Sequence, residues 1–196
     1  STHKIKIGNI EDIVDVLSTK DKGYHIKYDN DSYTVLFGDC DHITDPKQFN
    51  KILKDLSNYF WIEENEIDYT LSEKHIDDNT IEYSYHWAYN AYYCKISELK
   101  EHMKQFIKQY KYDKQIIDTS IYKKGQFRLP NQTNYDKQTP HKIIRGCMSS
   151  FVITYISSDC EKLKPIEVVK KENKNVLTIQ SDKSDEINKL LSCLNN

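Results

Sequence analysis

The chain has 196 residues, of which 38% are hydrophobic and 30% are charged, and its formal net charge is -2. This composition is too apolar for a disordered tail, and with 5 glycines and 4 prolines it excludes collagen-like and low-complexity sequence. The longest apolar runs fall far short of the roughly 18 residues of a membrane helix, so we expect one folded domain over residues 1–196 and no membrane partner.

Apolar residues at helical spacing predict four helices, and alternating or β-branched runs predict seven strands. In chain order these are a helix over 10–17, strands 24–28 and 33–37, a helix over 49–60, strand 82–87, a helix over 99–110, strands 116–122, 126–129, 151–156 and 176–180, and a helix over 187–194. Asp45 and Pro46 suit the N-cap and first turn of the second helix. Residues 29–31 predict a hairpin turn between the first two strands. Because several strands follow one another too closely for helical crossovers, we expect an α+β fold with a mixed or antiparallel sheet.

Asp39 and Asp41 form a D-x-D pattern at the end of a predicted strand. Residues i and i+2 of a strand point to the same side, so two carboxylates can share one hard cation. Asp29 and Asp31 form the same pattern in a turn, where Asp is common for backbone reasons. A metal site and a solvated strand end are both open for Asp39 and Asp41. Strict alternation also requires either that the pair lies at the sheet's edge or that Gly38 bends the strand.

Residues 83–89 alternate between aromatic side chains and small or polar ones, as expected of a strand. The aromatic side predicts core packing rather than a platform for stacking bases. Ser84 and His86 share the polar side, where a hydroxyl and an imidazole can donate to phosphate oxygens. A single histidine on a strand is more often structural, and His42, His75 and His102 show no ligand spacing with any cysteine.

Asp118 is a single acid in the apolar stretch 116–122. A buried carboxylate must be paired, hydrogen-bonded or metal-bound. Arg128 follows ten residues later, so a salt bridge between the two is the structural alternative to a metal site.

The charge is unevenly distributed along the chain. Residues 1–94 carry 9 Lys against 18 acidic residues, whereas residues 95–145 carry 10 Lys and 2 Arg against 5 acidic residues. A basic segment attracts anionic partners such as nucleic acid, although composition alone favours a solvated helix face. Arg128 and Arg145 both lie in this segment, and arginine binds phosphate in a bidentate manner that lysine does not.

Cysteine usage and the first residues indicate the compartment. The 5 cysteines are scattered without a C-x-x-C pair, which argues against disulfides and zinc and favours a reducing, intracellular compartment. Five charged residues among the first fifteen predict that no signal peptide is present. Ser1 in place of methionine favours a fragment of a longer protein.

The order of these motifs resembles the archaeo-eukaryotic primase superfamily, in particular the primase-polymerase domains of large DNA viruses. The similar stretches are 37–42 (FGDCDH), 83–86 (YSYH), 117–122 (IDTSIY), 126–133 (QFRLPNQT) and 141–146 (HKIIRG). The resemblance implies a catalytic sheet like that of the RNA-recognition motif, joined to an additional α/β module. It also implies that Asp39, Asp41 and Asp118 hold two Mg²⁺ or Mn²⁺ ions, and that Ser84, His86 and Arg128 bind the nucleotide triphosphate. Relatives usually have a lysine shortly after the arginine, and Lys137 is the candidate here.

The expected function is therefore that of a template-directed nucleotidyltransferase, either a DNA primase or a primer-extending DNA polymerase, in DNA replication. Its expected partners are single-stranded DNA template, a primer terminus, nucleoside triphosphates and, in the parent chain, a helicase domain. The basic segment would run beside template and primer. If the protein is viral, its location is the cytoplasm or nucleus of the infected host. The alternatives are a non-catalytic module that binds single-stranded nucleic acid on the same fold, and a structural domain in which Asp118 and Arg128 pair.

Overall fold

The computed structural model describes residues 24–132 and 139–164. The predicted helices over 10–17 and 187–194 and the predicted strand 176–180 lie outside these ranges. In chain order the described elements are β1 (His25–Tyr28), β2 (Tyr33–Ile43), α1 (Pro46–Phe60), a 3₁₀ turn (Glu64–Glu66), β3 (Asp68–His75), β4 (Ile81–Lys95), α2 (Ile96–Tyr110), β5 (Gly125–Arg128), β6 (Lys142–Arg145), a second 3₁₀ turn (Met148–Phe151) and β7 (Glu161–Lys162).

The strands form two sheets. The larger sheet has the antiparallel order β2-β4-β3-β6, and β7 pairs in parallel with the end of β4. The smaller sheet consists of β1 and β5, also antiparallel. A single bridge between Cys40 and Ile117 places residues 116–118 along the outer side of β2. The α+β class with antiparallel sheets is therefore confirmed for the described residues.

Helix α1 begins at a typical N-cap residue, whereas α2 begins after Lys95 and neither helix ends at glycine or asparagine. The Asp45 side chain accepts a hydrogen bond from the Lys47 N–H (2.9 Å), and Pro46 occupies the first turn of α1, as predicted. The Lys95 N–H donates to the Glu98 carboxylate (3.0 Å) at the start of α2. Both helices end at a residue in the left-handed conformation, Trp61 (φ 58°) and Lys111 (φ 58°).

The larger sheet lies between the helices and the smaller sheet. Phe49 of α1 stacks on Tyr85 of β4, with ring centroids 3.8 Å apart. Phe37 of β2 points the other way, because it pairs with Ala88 and residues 85 and 88 of one strand face opposite sides. On that side Phe37 contacts Tyr28 of β1 (5.8 Å between centroids) and Phe127 of β5 (5.1 Å). The side of the sheet opposite the helices is thus partly covered, and Asp39 lies on it.

Several sequence predictions are wrong in detail. The turn at residues 29–32 exists, with Ser32 N–H donating to the Asp29 carbonyl (3.2 Å), but β1 and β2 belong to different sheets and do not form a hairpin. Stretch 116–122 is not a strand beyond the single bridge at Ile117, and residues 151–156 are the end of a 3₁₀ turn and a loop. In the stretch 116–122, Asp118 accepts a hydrogen bond from the Ser120 N–H (2.6 Å). This bond closes a local turn and competes with strand pairing.

All described residues belong to one compact unit of the chain. None of the helices formed by residues 24–132 and 139–164 has the length and hydropathy needed to cross a membrane.

Candidate metal and nucleotide site

Asp39 and Asp41 lie within β2, which continues past Phe37 to Ile43 rather than ending before them. β2 is the end strand of the order β2-β4-β3-β6, so the pair lies at the sheet's edge, the first of the two placements that strand alternation permits. Asp39 is paired with His86 of β4. The Ser84 hydroxyl donates to the Asp41 carboxylate at 2.6 Å. The acid pair and the Ser84–His86 pair therefore face one another across two neighbouring strands.

Main-chain pairing brings Asp118 to the same edge. The Asp118 N–H donates to the Asp39 carbonyl (3.2 Å), and the Asp41 N–H donates to the Ile116 carbonyl (3.0 Å). These two bonds flank the bridge between Cys40 and Ile117 and place Asp118 directly opposite Asp39. Opposed residues of an antiparallel pair share a face, with Cβ atoms about 4.5–5.5 Å apart. The backbone thus brings all three predicted acids together.

The side chain of Asp118 is held locally. It accepts hydrogen bonds from the Ser120 N–H (2.6 Å) and the Ser120 hydroxyl (2.8 Å). Across residues 24–132 and 139–164, no group of three or more His, Cys, Asp or Glu side chains is arranged closely enough to hold a metal ion. The three acids therefore lie at the same edge of the sheet, but their side chains are not arranged as a complete set of metal ligands.

Asp39 is in an unfavourable electrostatic position as a carboxylate. Its side chain is 18% exposed, and its Oδ1 atom is buried without a hydrogen-bond partner among the described residues. Burial raises the pKa of Asp39 well above its usual value, the negative charges of Asp41 and Asp118 raise it further, and the positive charge of Arg128 opposes them. A cation beside Asp39 would give its Oδ1 atom a partner and would offset the repulsion from Asp41 and Asp118.

Charged and polar groups of the smaller sheet contribute to the same site. Arg128 at the end of β5 is half-buried, which lowers its pKa, and the charges of Asp39 and Asp41 act in the opposite direction. Burial raises the pKa of Tyr28 in β1 to about 12, with the charges of Asp39 and Asp118 as further causes. Arg128 therefore interacts electrostatically with both Asp39 and Asp41.

The His86 ring is buried between two other rings. It stacks on His141, with centroids 3.8 Å apart and planes 18° apart, and contacts Phe127 on its other side at 4.6 Å. Its Nε2 atom is 3.7 Å from Asp39 Oδ1, and its Nδ1 atom has no partner within the described part of the chain. Burial lowers the pKa of His86 well below its usual value, the nearby His141 and Arg128 add to this effect, and a hydrogen bond to the Arg128 main chain opposes it. His86 is therefore neutral at pH 7 and has a single ring N–H, for which a ligand would compete with the Arg128 carbonyl.

Sequence reasoning missed Thr70 and gave His141 no role. His141 is 1% exposed, and its Nδ1 atom lies 3.1 Å from the Thr70 hydroxyl. Thr70 belongs to β3, a strand with no predicted counterpart, and His141 precedes the four-residue strand β6. Neither position carries a local signal, because the contact joins residues 71 positions apart.

Two further basic residues that the sequence singled out, Arg145 and Lys137, do not add to the described site. Arg145 donates to the carbonyls of Ile67 (2.7 Å) and Glu64 (2.8 Å) and lies over the Tyr69 ring. Two nitrogens of the Arg145 guanidinium are thus used by main-chain carbonyls, and anion binding by Arg145 stays a prediction. Lys137 lies outside the described residues.

Part of the basic segment faces away from the acids. Helix α2 carries Lys100, Lys104 and Lys108 and packs against α1, with Phe106 contacting Tyr59 at 5.5 Å. Since α1 covers the opposite side of the sheet from Asp39, these lysines do not line the candidate site. That the basic segment runs beside template and primer stays a prediction, and the lysines of α2 do not lie on the side of the sheet that carries Asp39.

The buried imidazole of His141 predicts a pH-dependent stability. Burial, and then the charge of Arg128, lower the pKa of His141 from 6.5 to about 3. A histidine with a lowered folded-state pKa stabilises the fold above its unfolded pKa, and this stability is lost as the pH falls from 6.5 towards 3. Between pH 8 and pH 5 the loss is about 2 kcal/mol.

The effect can be isolated from the other titrating groups by substitution. We expect the free energy of unfolding of wild type, minus that of His141→Gln, to fall by about 2 kcal/mol from pH 8 to pH 5 in urea titrations. His86 and Arg128 face the same ring, and the same comparison with His75→Gln, which replaces an exposed histidine, serves as the control. A difference that stays constant with pH would contradict a neutral, buried His141.

No protein-family model and no curated protein matches this chain. The assignment of function therefore rests on the chemistry and placement of the site's own residues.

Proposed function

We propose that the chain is a metal-dependent, template-directed nucleotidyltransferase that extends DNA primers. The observation that carries the proposal is the main-chain pairing of residues 39–41 with residues 116–118. It brings Asp39, Asp41 and Asp118 to one sheet edge, beside Ser84 and His86.

The acids fit a divalent metal by their chemistry. Carboxylate oxygens are the ligands that Mg²⁺ and Mn²⁺ prefer, and the buried Oδ1 of Asp39 has no hydrogen-bond partner among the described residues. Asp39, Asp41 and Asp118 would hold the metal, with Asp118 exchanging its bonds to Ser120 for the cation. When bound, two such ions neutralise charge on the transferred phosphoryl group and on the leaving pyrophosphate.

The remaining polar groups fit a triphosphate. The Ser84 hydroxyl would exchange its bond to Asp41 for a phosphate oxygen, the single N–H of neutral His86 would turn from the Arg128 main chain to the phosphate, and the guanidinium of Arg128 supplies positive charge from β5. Phosphate oxygens accept hydrogen bonds from such groups, and arginine adds bidentate geometry. These residues would orient the triphosphate so that the α-phosphorus faces the primer's 3′-hydroxyl.

The order of the elements supports a sheet like that of the RNA-recognition motif. The chain runs β2-α1-β3-β4-α2 and then returns as segment 116–118 beside β2, giving the spatial order 116–118, β2, β4, β3. This is a β-α-β-β-α-β arrangement with both helices on one side. The acids lie on the other side, where such sheets bind nucleic acid. The two-stranded β1–β5 sheet is separate from this arrangement, and the additional α/β module stays a prediction.

The alternative functions have less support. Tyr85, Trp87 and Tyr89 are at most 6% exposed, so this stripe cannot stack on bases in the manner of a single-strand binding module. A purely structural ion pair between Asp118 and Arg128 does not explain the other two acids. The charges of Asp39 and Asp41 act on Arg128, and such a pair would give neither of them a function.

Primer extension tests the proposed function. With a primed single-stranded template, nucleoside triphosphates and Mg²⁺ or Mn²⁺, the 196-residue chain should add nucleotides complementary to the template. Without a primer we expect weak synthesis favoured by Mn²⁺, because initiation must hold two free nucleotides at an entropic cost. Failure to extend a primer with either metal would refute the proposal, and efficient dinucleotide synthesis would refute the preference for extension.

His86→Ala is expected to weaken nucleotide binding while leaving DNA affinity unchanged. The loss of one charge-assisted donor corresponds to an increase of about tenfold in the nucleotide dissociation constant. A fluorescent nucleotide titration and a separate DNA titration measure the two affinities. His102→Ala removes a histidine that packs on Tyr59 and Phe60 at the helices and should change neither. Equal nucleotide affinity for wild type and His86→Ala would remove His86 from the site.

A further inference from the structure

His86 is enclosed in a way that the proposed chemistry alone does not explain. Its ring lies between Phe127 and His141. The stack on His141 is the closer and more parallel of the two. Rings packed against an imidazole resist rotation about its Cβ–Cγ bond, so two such contacts define the plane of the ring.

Thr70 connects His86 to His141. It pairs directly with His86 between β3 and β4, and its hydroxyl lies 3.1 Å from His141 Nδ1 and 3.5 Å from the His86 carbonyl. Thr70 has no exposed surface, so water does not compete for these bonds. The hydroxyl therefore fixes His141 at a defined position relative to the strand that carries His86.

The main chain of His141 is also anchored. The Asn131 N–H donates to the His141 carbonyl at 2.8 Å, and Asn131 adopts a left-handed conformation (φ 59°). Asn131 follows Arg128 closely in the chain, so the position of His141 is linked to the segment that carries the arginine. A buried side chain held at its ring and at its backbone serves as a rigid support.

We infer that His141, held by the Thr70 hydroxyl, is a positioning residue that fixes the ring of His86 for a nucleoside triphosphate. The inference rests on the proposed function, because it assigns the supporting residues of that same site. A neutral imidazole donates from only one ring nitrogen, so the ring's orientation decides whether the N–H faces the phosphate. Misplacing a binding group by about 1 Å can reduce activity on the order of a hundredfold. His141 therefore acts through His86 and does not touch the nucleotide.

Steady-state primer extension with varied nucleotide concentration tests this role in the full chain. We expect His141→Gln and Thr70→Val to raise the nucleotide KM about tenfold, and Thr70→Ser, which keeps the hydroxyl, to restore it to within about twofold. In a His86→Ala background the same changes should alter KM by less than about twofold, because no ring remains to be positioned. Equal effects in both backgrounds, or no effect on KM in either, would overturn the inference.

A second measurement is independent of catalysis and of loss of folding. NMR of the histidine rings should show one set of His86 signals in wild type and Thr70→Ser, and exchange broadening or a second set in Thr70→Val and His141→Gln. Thermal unfolding confirms that each variant is folded, and His102→Gln serves as the matched buried-histidine control. An unchanged His86 spectrum in both variants overturns the positioning role, even if primer extension is confirmed. Conversely, if the His86 signals are disturbed in Thr70→Val and His141→Gln but the wild-type protein extends no primer, the proposed function is refuted and the role of His141 is confined to orienting His86.

Discussion

Replacing Asp39 with asparagine is expected to abolish primer extension and to make the folded protein more stable. Burial and the charges of Asp41 and Asp118 raise the pKa of Asp39, so its ionised form destabilises the fold at neutral pH. A neutral amide of the same shape removes that cost but is a poor ligand for Mg²⁺. We expect extension to fall at least about 10³-fold, the scale of losing an electrostatic catalytic group, while the free energy of unfolding rises by about 1 kcal/mol.

The sign of the pH dependence provides an internal check. A carboxyl group whose folded-state pKa is raised contributes stability that is present below its unfolded pKa and is lost as the pH rises through the folded value. The advantage of Asp39→Asn over wild type should therefore be present at neutral pH and vanish in acid. Urea titrations at several pH values measure it. An Asp39→Asn protein that is less stable than wild type at pH 7 would contradict the burial of an uncompensated charge.

Matched variants separate the site from general effects of charge. Asp41→Asn and Asp118→Asn should also abolish extension, because each acid contributes a carboxylate to the same edge. Asp31→Asn alters the other D-x-D pattern, in the exposed turn after β1, and should leave extension unchanged. Retention of more than about a tenth of wild-type activity by Asp118→Asn would remove that residue from the catalytic group.

Gly38→Ala is expected to destabilise the fold by about 3 kcal/mol, the upper range for overpacking a core. A Cβ atom at position 38 would lie 2.4 Å from Trp87 Nε1 and 2.5 Å from Trp87 Cε2. Trp87 is fully buried and pairs with Gly38 across β2 and β4, so its indole cannot move aside without disturbing the sheet. Because Gly38 precedes Asp39, the same substitution should reduce extension.

Gly125→Ala is the control for this prediction. Its added Cβ would come no closer than 3.3 Å to the Tyr28 hydroxyl, at the end of a side chain, so the expected loss is within about 1 kcal/mol. Urea unfolding at pH 7 measures both variants. Equal free energies of unfolding for Gly38→Ala and Gly125→Ala would contradict the claim that Trp87 leaves no room for a Cβ atom at position 38.

The sequence predicted the parts of the fold that local patterns specify. Both described helices follow from apolar spacing and, for α1, from the cap at Asp45. Strand β3 escaped prediction because its residues include Asp68, Glu73 and Lys74 near its ends, and only pairing with β4 and β6 makes it a strand. The stretch around Asp118 has strand-like apolar residues, but the Asp118–Ser120 hydrogen bonds favour a turn.

The candidate site was predictable to a similar degree. Alternation along β2 and β4 explains why Asp39, Asp41, Ser84 and His86 share a side of the sheet. The arrival of Asp118 beside Asp39 depends on long-range main-chain pairing that no local pattern encodes. His141 and Thr70 meet only in the folded chain, since their contact joins residues 71 positions apart in the sequence. Arg145 shows the reverse case, because its type suggested anion binding and its contacts are with carbonyl oxygens.

Mn²⁺ binding tests most directly whether Asp39, Asp41 and Asp118 act as one metal site. With a non-hydrolysable nucleoside triphosphate present, electron paramagnetic resonance measures free Mn²⁺, and the decrease relative to the same nucleotide without protein reports how much metal the protein removes from solution. We expect wild type and Asp31→Asn to bind Mn²⁺ alike, and Asp39→Asn, Asp41→Asn and Asp118→Asn each to weaken binding at least about tenfold. Equal Mn²⁺ affinity for wild type and all three site variants would contradict the metal site and, with it, the proposed nucleotidyl transfer.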